Sequence, residues 1–282
     1  MTTINKSLAY SGETLIYINE CELFWPGYID PCNPLNLPPN TVRVRTNDGA
    51  IPIKDVASYE TATLVEGTSD VYDVYKSGND FYDFLNQCYN VIEVLGANTT
   101  GITHMGDMFY ECNALKTVPL FDTSSVTNMG GMFYECTSLT TVPLFDTSSV
   151  TNMNSMFQNC TSLTSVPLFD TSSVTYMSSM FHNCALLTSV PLFNTSMVTD
   201  IDSMFLNCIS LTSVPLFNTS SVRFMYTMFL NCKKVQSGAL ALYQQASTQA
   251  NPPSSHTRAF KNCGSETTTG AAELAQIPDD WK

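Results

Sequence analysis

Seven cysteines fall 24 residues apart: Cys88, Cys112, Cys136, Cys160, Cys184, Cys208 and Cys232. Met108, Met132, Met156, Met180, Met204 and Met228 keep the same step, as do Pro119, Pro143, Pro167, Pro191 and Pro215. An unslipped period of 24 residues points to one kind of architecture, near-identical coils stacked on one another. One coil cannot bury its own apolar residues, so each lies on its neighbours and the stack grows as a rod.

The unit beginning at Asp122 reads Asp-Thr-Ser-Ser-Val-Thr-Asn-Met-Gly-Gly-Met-Phe-Tyr-Glu-Cys-Thr-Ser-Leu-Thr-Thr-Val-Pro-Leu-Phe. Val126, Met129, Met132, Phe133 and Cys136 follow i, i+3, i+6, i+7, i+10, which predicts a short helix. Asp122, Thr123 or Ser124 is placed to cap its start. Leu139, Val142, Leu144 and Phe145 complete the apolar set. Their run is too short for a helix, and Pro143 stops it, so it reads as a short strand. The expectation is an α/β repeat: a right-handed solenoid of the leucine-rich-repeat type, one short strand and one short helix per coil.

The period is weaker at both ends. A degraded first coil spans about Asn79 to Gly101, with Leu85, Val91 and Leu95 where later coils carry Phe, Leu and Pro. End coils are expected to be atypical because the outer face must terminate the stack. After Cys232, Val235–Ser247 reads as a helix stopped by Pro252-Pro253, and Thr267–Gln276 as a second. Phe260-Lys-Asn-Cys263 echoes the repeat at a step of 31 residues. Before the repeat, Thr41–Arg45 and Val71–Tyr75 alternate as strands do, and Asn47-Asp48-Gly49 is a hairpin-turn signal. Four segments follow: an arm or docking segment at 1–38, a small β module at 39–78, the solenoid at 79–232, and a C-terminal cap at 233–282.

Charge narrows the partners. A formal net charge of −13 argues against nucleic acid and anionic bilayers, which need a basic face. No run approaches the roughly 20 apolar residues of a membrane span. Residues 1–21 read as lacking an export signal, since Leu15–Ile18 is a short apolar patch.

The Met-Phe-x-x-Cys-x-x-Leu-x-x-Val-Pro-Leu-Phe-Asp-Thr-Ser-x-Val-Thr-x-Met unit resembles the BspA-like leucine-rich repeat family. It is most similar to the variant of bacterial surface proteins and gut bacteriophage proteins, over about residues 79–232. Leu37-Pro-Pro-Asn-Thr-Val-Arg and Ser237-Gly-Ala-Leu-Ala-Leu-Tyr-Gln-Gln-Ala also resemble segments that accompany such repeats in gut phage sequences. The resemblance implies a surface-exposed adhesion or recognition role, with no catalytic residues to carry over.

The cysteine ladder offers one thiol per coil on the apolar stripe, which suits a small buried hydrophobe better than a zinc site. A disulfide between neighbouring coils is geometrically open, and Cys21 and Cys32 are placed to pair in an oxidising space. Asp122, Asp146 and Asp170 align, but Asn194 and Asn218 replace them later. A role that accepts Asn suits a cap or turn, not acid–base work. One carboxylate per coil is also far from the six to eight oxygens that calcium takes. His104, His182 and His256 form no ligand pattern. No cofactor, metal or catalytic site is expected.

Recognition is expected where an otherwise monotonous scaffold varies and points outward. One such column is Tyr110, Tyr134, Gln158, His182, Leu206, Leu230. A second runs through His104, Asn128, Asn152, Tyr176, Asp200 and Phe224. Toward the C-terminus Leu206, Leu230, Phe224 and Tyr226 turn these faces apolar, so either the C-terminal helix or a partner is expected to cover them. The overall expectation is a non-enzymatic, virion-associated protein of a bacteriophage: a fibre, decoration or receptor- or glycan-binding module assembled in the host cytoplasm. A bacterial cell-surface adhesin is the first alternative and the binding module of a glycan-processing system the second. Residues 1–38 would dock it onto other virion or surface proteins, with room for self-association.

Overall fold

The structure, a computed structural model, describes residue 33 and residues 35–50 and 58–282. Most of the expected arm, including Cys21 and Cys32, lies outside the described residues.

A backbone ladder holds the rod together. The N–H groups of Met129, Gly131, Phe133 and Glu135 donate to the carbonyls of Asn152, Asn154, Met156 and Gln158 in the next coil, at 2.8–3.0 Å. The same set of bonds recurs at every junction from Phe81 to Lys261. Parallel bridges join Asp80, His104, Asn128, Asn152, Tyr176, Asp200, Phe224 and Ser255 into one column.

This ladder corrects the expected helix. Equivalent rings lie 5.5 Å apart between Phe109 and Phe133, 5.6 Å between Phe133 and Phe157, and 5.7 Å between Phe157 and Phe181. Helices pack about 8–10 Å apart, so coils at this spacing leave no room for one. Local chemistry agrees. Thr127, Asn128, Gly130 and Gly131 are poor helix formers, and the backbone takes positive φ at Gly131 (63°) and Glu135 (56°). The segment is a run of tight turns, with Met132, Tyr134 and Cys136 donating to the carbonyls of Met129, Gly131 and Phe133. Asp122 is likewise no helix cap. Its Oδ1 accepts from Ser124 N–H at 3.0 Å, closing a turn, and Asn194 and Asn218 do the same for Ser196 and Ser220. The turn needs one acceptor oxygen, which is why Asn replaces Asp.

The expected strand is corrected too. Leu139–Leu144 carries no named strand; Pro143 has no N–H to give, and Phe145 N–H turns back to Pro143 O at 3.1 Å. That tight turn centres on Leu144 and leaves it on the surface between buried Val142 and Phe145. Phe145, Phe169, Phe193 and Phe217 are buried, while Leu144, Leu168, Leu192 and Leu216 stand in solvent at 38%, 59%, 62% and 52% exposure. Leu144 therefore leaves the core in which the sequence reading put it.

Three further columns run through the coils. Each thiol from Cys112 to Cys232 is buried and points at the carbonyl of a residue in the preceding coil; Cys160 Sγ donates to Phe133 O at 3.0 Å. The eight described cysteines form no disulfide. Buried Thr123 and Thr147 donate to Asp146 O and Asp170 O, each at 2.8 Å, in the following coil. The side-chain amide of Asn183 donates to Asn159 at 2.7 Å and its oxygen accepts from Asn207 at 2.8 Å. Asn159, Asn183, Asn207 and Asn231 all hold positive φ, which Asn accepts better than most residues.

The stack is closed at both ends. β1 (Thr41–Thr46), β2 (Thr61–Leu64), β3 (Val71–Tyr75) and β4 (Val91–Asn98) form one antiparallel sheet in the order β2-β3-β1-β4. The chain turns after β1 through Gly49 (φ 69°), but β1 pairs with β3 and β4 and not with the next strand, so the expected hairpin is absent among the described residues. β4 is also the second half of the first coil. Glu93 bridges Thr117, and Val94 N–H donates to Thr117 O, so sheet and stack share a strand. At the other end α1 (Ala239–Thr248) fills the longer step between Cys232 and Cys263. The chain then rejoins the ladder at Ser255, and α2 (Thr268–Ala275) leads to Trp281. The Trp281 carbonyl accepts from Phe260 N–H and its ring lies 6.3 Å from the Phe260 ring, ending the aromatic column.

Two outcomes check this packing. Cys160→Ala should cost roughly 1–2 kcal/mol in urea unfolding, with no shift from chelator or reductant; a chelator-dependent melting temperature would contradict the thiol's packing role. Asn183→Gly keeps the positive φ and loses the amide bonds, whereas Asn183→Ala also strains the backbone. The alanine variant should therefore be less stable than the glycine variant by about 1 kcal/mol, and equal stabilities would remove the conformational part of the explanation.

Candidate functional site

In the ladder segment Asn128, Gly130 and Tyr134 reach the surface, while Met129, Met132 and Phe133 are buried. Three outward columns result. The first is the bridge column from His104 to Phe224, with Tyr176 and Phe224 at 48% and 44% exposure. The second runs Tyr82, Gly106, Gly130, Asn154, Ser178, Asp202, Tyr226. The third is Tyr110, Tyr134, Gln158, His182, Leu206, Leu230, all half-buried against one another. Desolvation lowers the pKa of His182 in that column.

The structure gathers some of these residues and separates others. Tyr110 and Tyr134 stack with ring centroids 4.5 Å apart and planes 3° from parallel. With Tyr82, Asp107, Asn128, Asn152 and Asn154 they enclose a trough of about 360 Å³. Along its floor Gly106, Gly130 and Gly131 carry no side chains, and neighbouring side chains close in on them, His104 over Gly106 and Asn128 and Asn152 beside Gly130. A Cβ at Gly131 would lie 1.8 Å from Asp107 Oδ1, so the carboxylate occupies the space that the glycine leaves. The Tyr82 ring lies beside Gly106, edge-on to His104 at 5.4 Å. Asn128 Nδ2 meets His104 Nε2 at 2.8 Å, and Asn128 Oδ1 accepts from Gly130 N–H at 2.8 Å.

The trough is electronegative. Burial raises the pKa of Asp107, opposed by the Tyr82 hydroxyl. The charge of Asp107, followed by that of Asp83, raises Tyr82. Burial pushes Tyr110 up to about 12, with Tyr134, Glu111 and Glu135 adding to it. No lysine or arginine is among the lining residues.

Gln158, His182, Leu206 and Leu230 continue the column away from the trough, and Tyr176, Phe224 and Tyr226 lie on the same face toward the C-terminal end. Of the two covers expected for that end, the C-terminal helix does not lie over it. Helix α1 sits on the other side of the last coil, where Gln245 donates to Phe217 O and Gln249 to Thr219 O, so Phe224 and Tyr226 stay 44% and 40% exposed. A second shallow groove, of about 460 Å³, follows the asparagine column from Glu135 to Ile209. Its amides are already engaged with one another, so it offers a ligand less.

Sequence reasoning missed Tyr82, Asp107 and the glycine floor. The signal was present: Gly130-Gly131 interrupts a position pair that reads Asn154-Ser155, Ser178-Ser179 and Asp202-Ser203 in later coils. The exposed leucine ridge was also missed, because a leucine inside an apolar run reads as core.

Comparison with known proteins adds a lineage. Residues 79–185 and 164–265 match the family described as "Mycoplasma protein of unknown function, DUF285". The chain belongs to this family. No curated protein matches it. A leucine-rich repeat protein of known crystal structure from Eubacterium ventriosum ATCC 27560 is 25% identical, over 52% of this chain and 41% of that one, with a TM-score of 0.36. The chain thus spans about two fifths of that protein's length. Among the described residues, no helix is long and apolar enough to cross a membrane, and no three His, Cys, Asp or Glu side chains are grouped to hold a metal ion.

Asp107 makes a pH signature. It holds its proton more tightly in the folded chain, so its contribution to stability is full below the ordinary carboxylate range and is lost as pH rises through the raised value. Ionised Asp107 is therefore a cost at neutral pH. Asp107→Asn should raise the melting temperature at about pH 7 and leave it unchanged at about pH 3. Destabilisation at neutral pH would show the carboxylate to be a structural partner instead.

Proposed function

We propose that the chain is a non-enzymatic recognition and structural module carried on the outside of a particle, with a bacteriophage virion as its setting and a fibre, decoration or receptor-binding role. The observation that carries this reading is the contrast between columns. Those that face inward or join the coils repeat nearly unchanged, as does the exposed leucine ridge, while the three outward columns of the ladder face change from coil to coil. Repeated reactive groups are spent on structure. The thiols sit buried with their protons directed at carbonyls, and the aspartates and asparagines of the Asp-Thr-Ser motif hold turns.

Burial pushes the described thiols from Cys112 to Cys263 well above their ordinary range. Because the thiolate is the reactive form, such a rod suits an oxidising exterior without disulfides. The resemblance to BspA-like repeats of gut phage and bacterial surface proteins supports an exterior setting. A bacterial cell-surface adhesin is the alternative reading, and the binding module of a glycan-processing system a second. Residues 1–38 would carry the docking contacts to other virion or surface proteins.

Mass spectrometry of banded virions, alongside surface biotinylation of cells that make the protein, separates these settings. The virion reading expects the chain at stoichiometric levels in particles; enrichment only among surface-labelled cell proteins would replace it with the adhesin. Recognition is read separately. A labelled triple variant, Tyr176→Ser, Phe224→Asn and Tyr226→Asn, should keep its melting temperature within a degree or two, by analogy with other exposed sites, and lose adsorption to host cells. Unchanged adsorption would take the C-terminal part of this face out of the recognition surface.

A further inference from the structure

We propose that the trough around Tyr82 and Asp107 binds a hexosamine unit with a free amine, its ammonium against the Asp107 carboxylate and its ring on Tyr82. This deepens the recognition reading and rests on it.

Space comes first. Where every later coil has side chains, Gly130 and Gly131 have none, so the Asp107 carboxylate lies over Gly131 and lines a trough of about 360 Å³. Charge comes second. The carboxylate is half-buried and carries a raised pKa from desolvation. The lining holds no lysine or arginine; His104 nearby favours the ionised form when it is charged, and a cation from outside would do so further.

The remaining groups define what carries that cation. Tyr82 is 44% exposed, and an open aromatic ring attracts both an ammonium and the C–H face of a sugar ring. Asn152 and Asn154 use their side-chain oxygens on the backbone N–H groups of Asn154 and Ser178, at 2.9 and 2.7 Å. Their Nδ2 donors have no partner among the described residues, which suits sugar hydroxyls. A lysine side chain would satisfy the carboxylate but leave those amides unmatched. An N-acetylated sugar would match the amides but bring no charge. The free hexosamine answers both.

Calorimetric titration of the full chain at low salt tests this with three probes: the β-1,4-linked glucosamine dimer, its N,N′-diacetyl counterpart, and Nα-acetyl-lysine methyl ester. The glucosamine dimer should bind, weaken with added salt, and lose about tenfold or more in affinity in Asp107→Asn. Gly130→Asn with Gly131→Ser should abolish binding while the fold persists, because these are the residues of the following coil, where Ser155 holds the same positive φ. Should that double variant fail to fold, Asp107→Asn alone decides. Equal binding of the diacetyl dimer would overturn the charge contact, and equal binding of the lysine ester would overturn the sugar. Silence from all three would remove the trough as this site. The particle and cell-adsorption experiments would still stand or fall separately, since they read the chain's location and the far end of the face.

Discussion

Everything in this molecule depends on the backbone hydrogen bonds that tie each coil to the next. They set the distance between coils, and that distance decides what every side-chain column can be. Phenylalanine rings stack at 5.1–5.8 Å from Phe109 to Phe260 because the ladder holds them there. The same spacing lets an asparagine amide reach the next asparagine, and a thiol reach a carbonyl of the preceding coil. A helix on that side would satisfy its own backbone but force the coils apart, and the ladder, the ring stack and the amide column would be lost together. The turn-rich path leaves alternate N–H groups free to cross between coils.

The period and the seam of buried Met, Phe and Cys were legible in the sequence because they rest on spacing alone. The helix within each coil was not. The spacing of Val126, Met129, Met132, Phe133 and Cys136 satisfies a helical wheel, yet an inward-facing series of tight turns satisfies it too. What separates the two is the inter-coil distance, a property of the stack and not of one unit. Leu144 shows the same limit: Val142 and Phe145 face in, and only the tight turn between Pro143 and Phe145 puts the leucine out. The aspartate-to-asparagine exchange, by contrast, was informative as it stood, since a role that accepts either needs only an oxygen acceptor.

The candidate site follows the same division. Tyr110 and Tyr134 stood out as aromatic members of a varying column, and the structure stacks them. Asp107 and Tyr82 did not stand out because they belong to neighbouring coils and different columns, and they meet only once the coils are in register. Gly130 and Gly131 are where the chain gives up the pattern of later coils for space, and Asp107 is where a carboxylate is left partly desolvated. Stability is conceded there on a rod built mostly from repeated contacts, as burial also raises Asp202 further along. Such local concessions are what a binding site on a rigid scaffold looks like.

The most direct test of the ladder is nuclear magnetic resonance detection of scalar couplings across hydrogen bonds in the isotope-labelled chain. The account predicts couplings from the amide nitrogens of Met129, Gly131, Phe133 and Glu135 to the carbonyl carbons of Asn152, Asn154, Met156 and Gln158, one coil further on. Couplings from the same nitrogens to carbonyls four residues earlier would show a helix in each coil, and would contradict the account of the stack and of every column built on it.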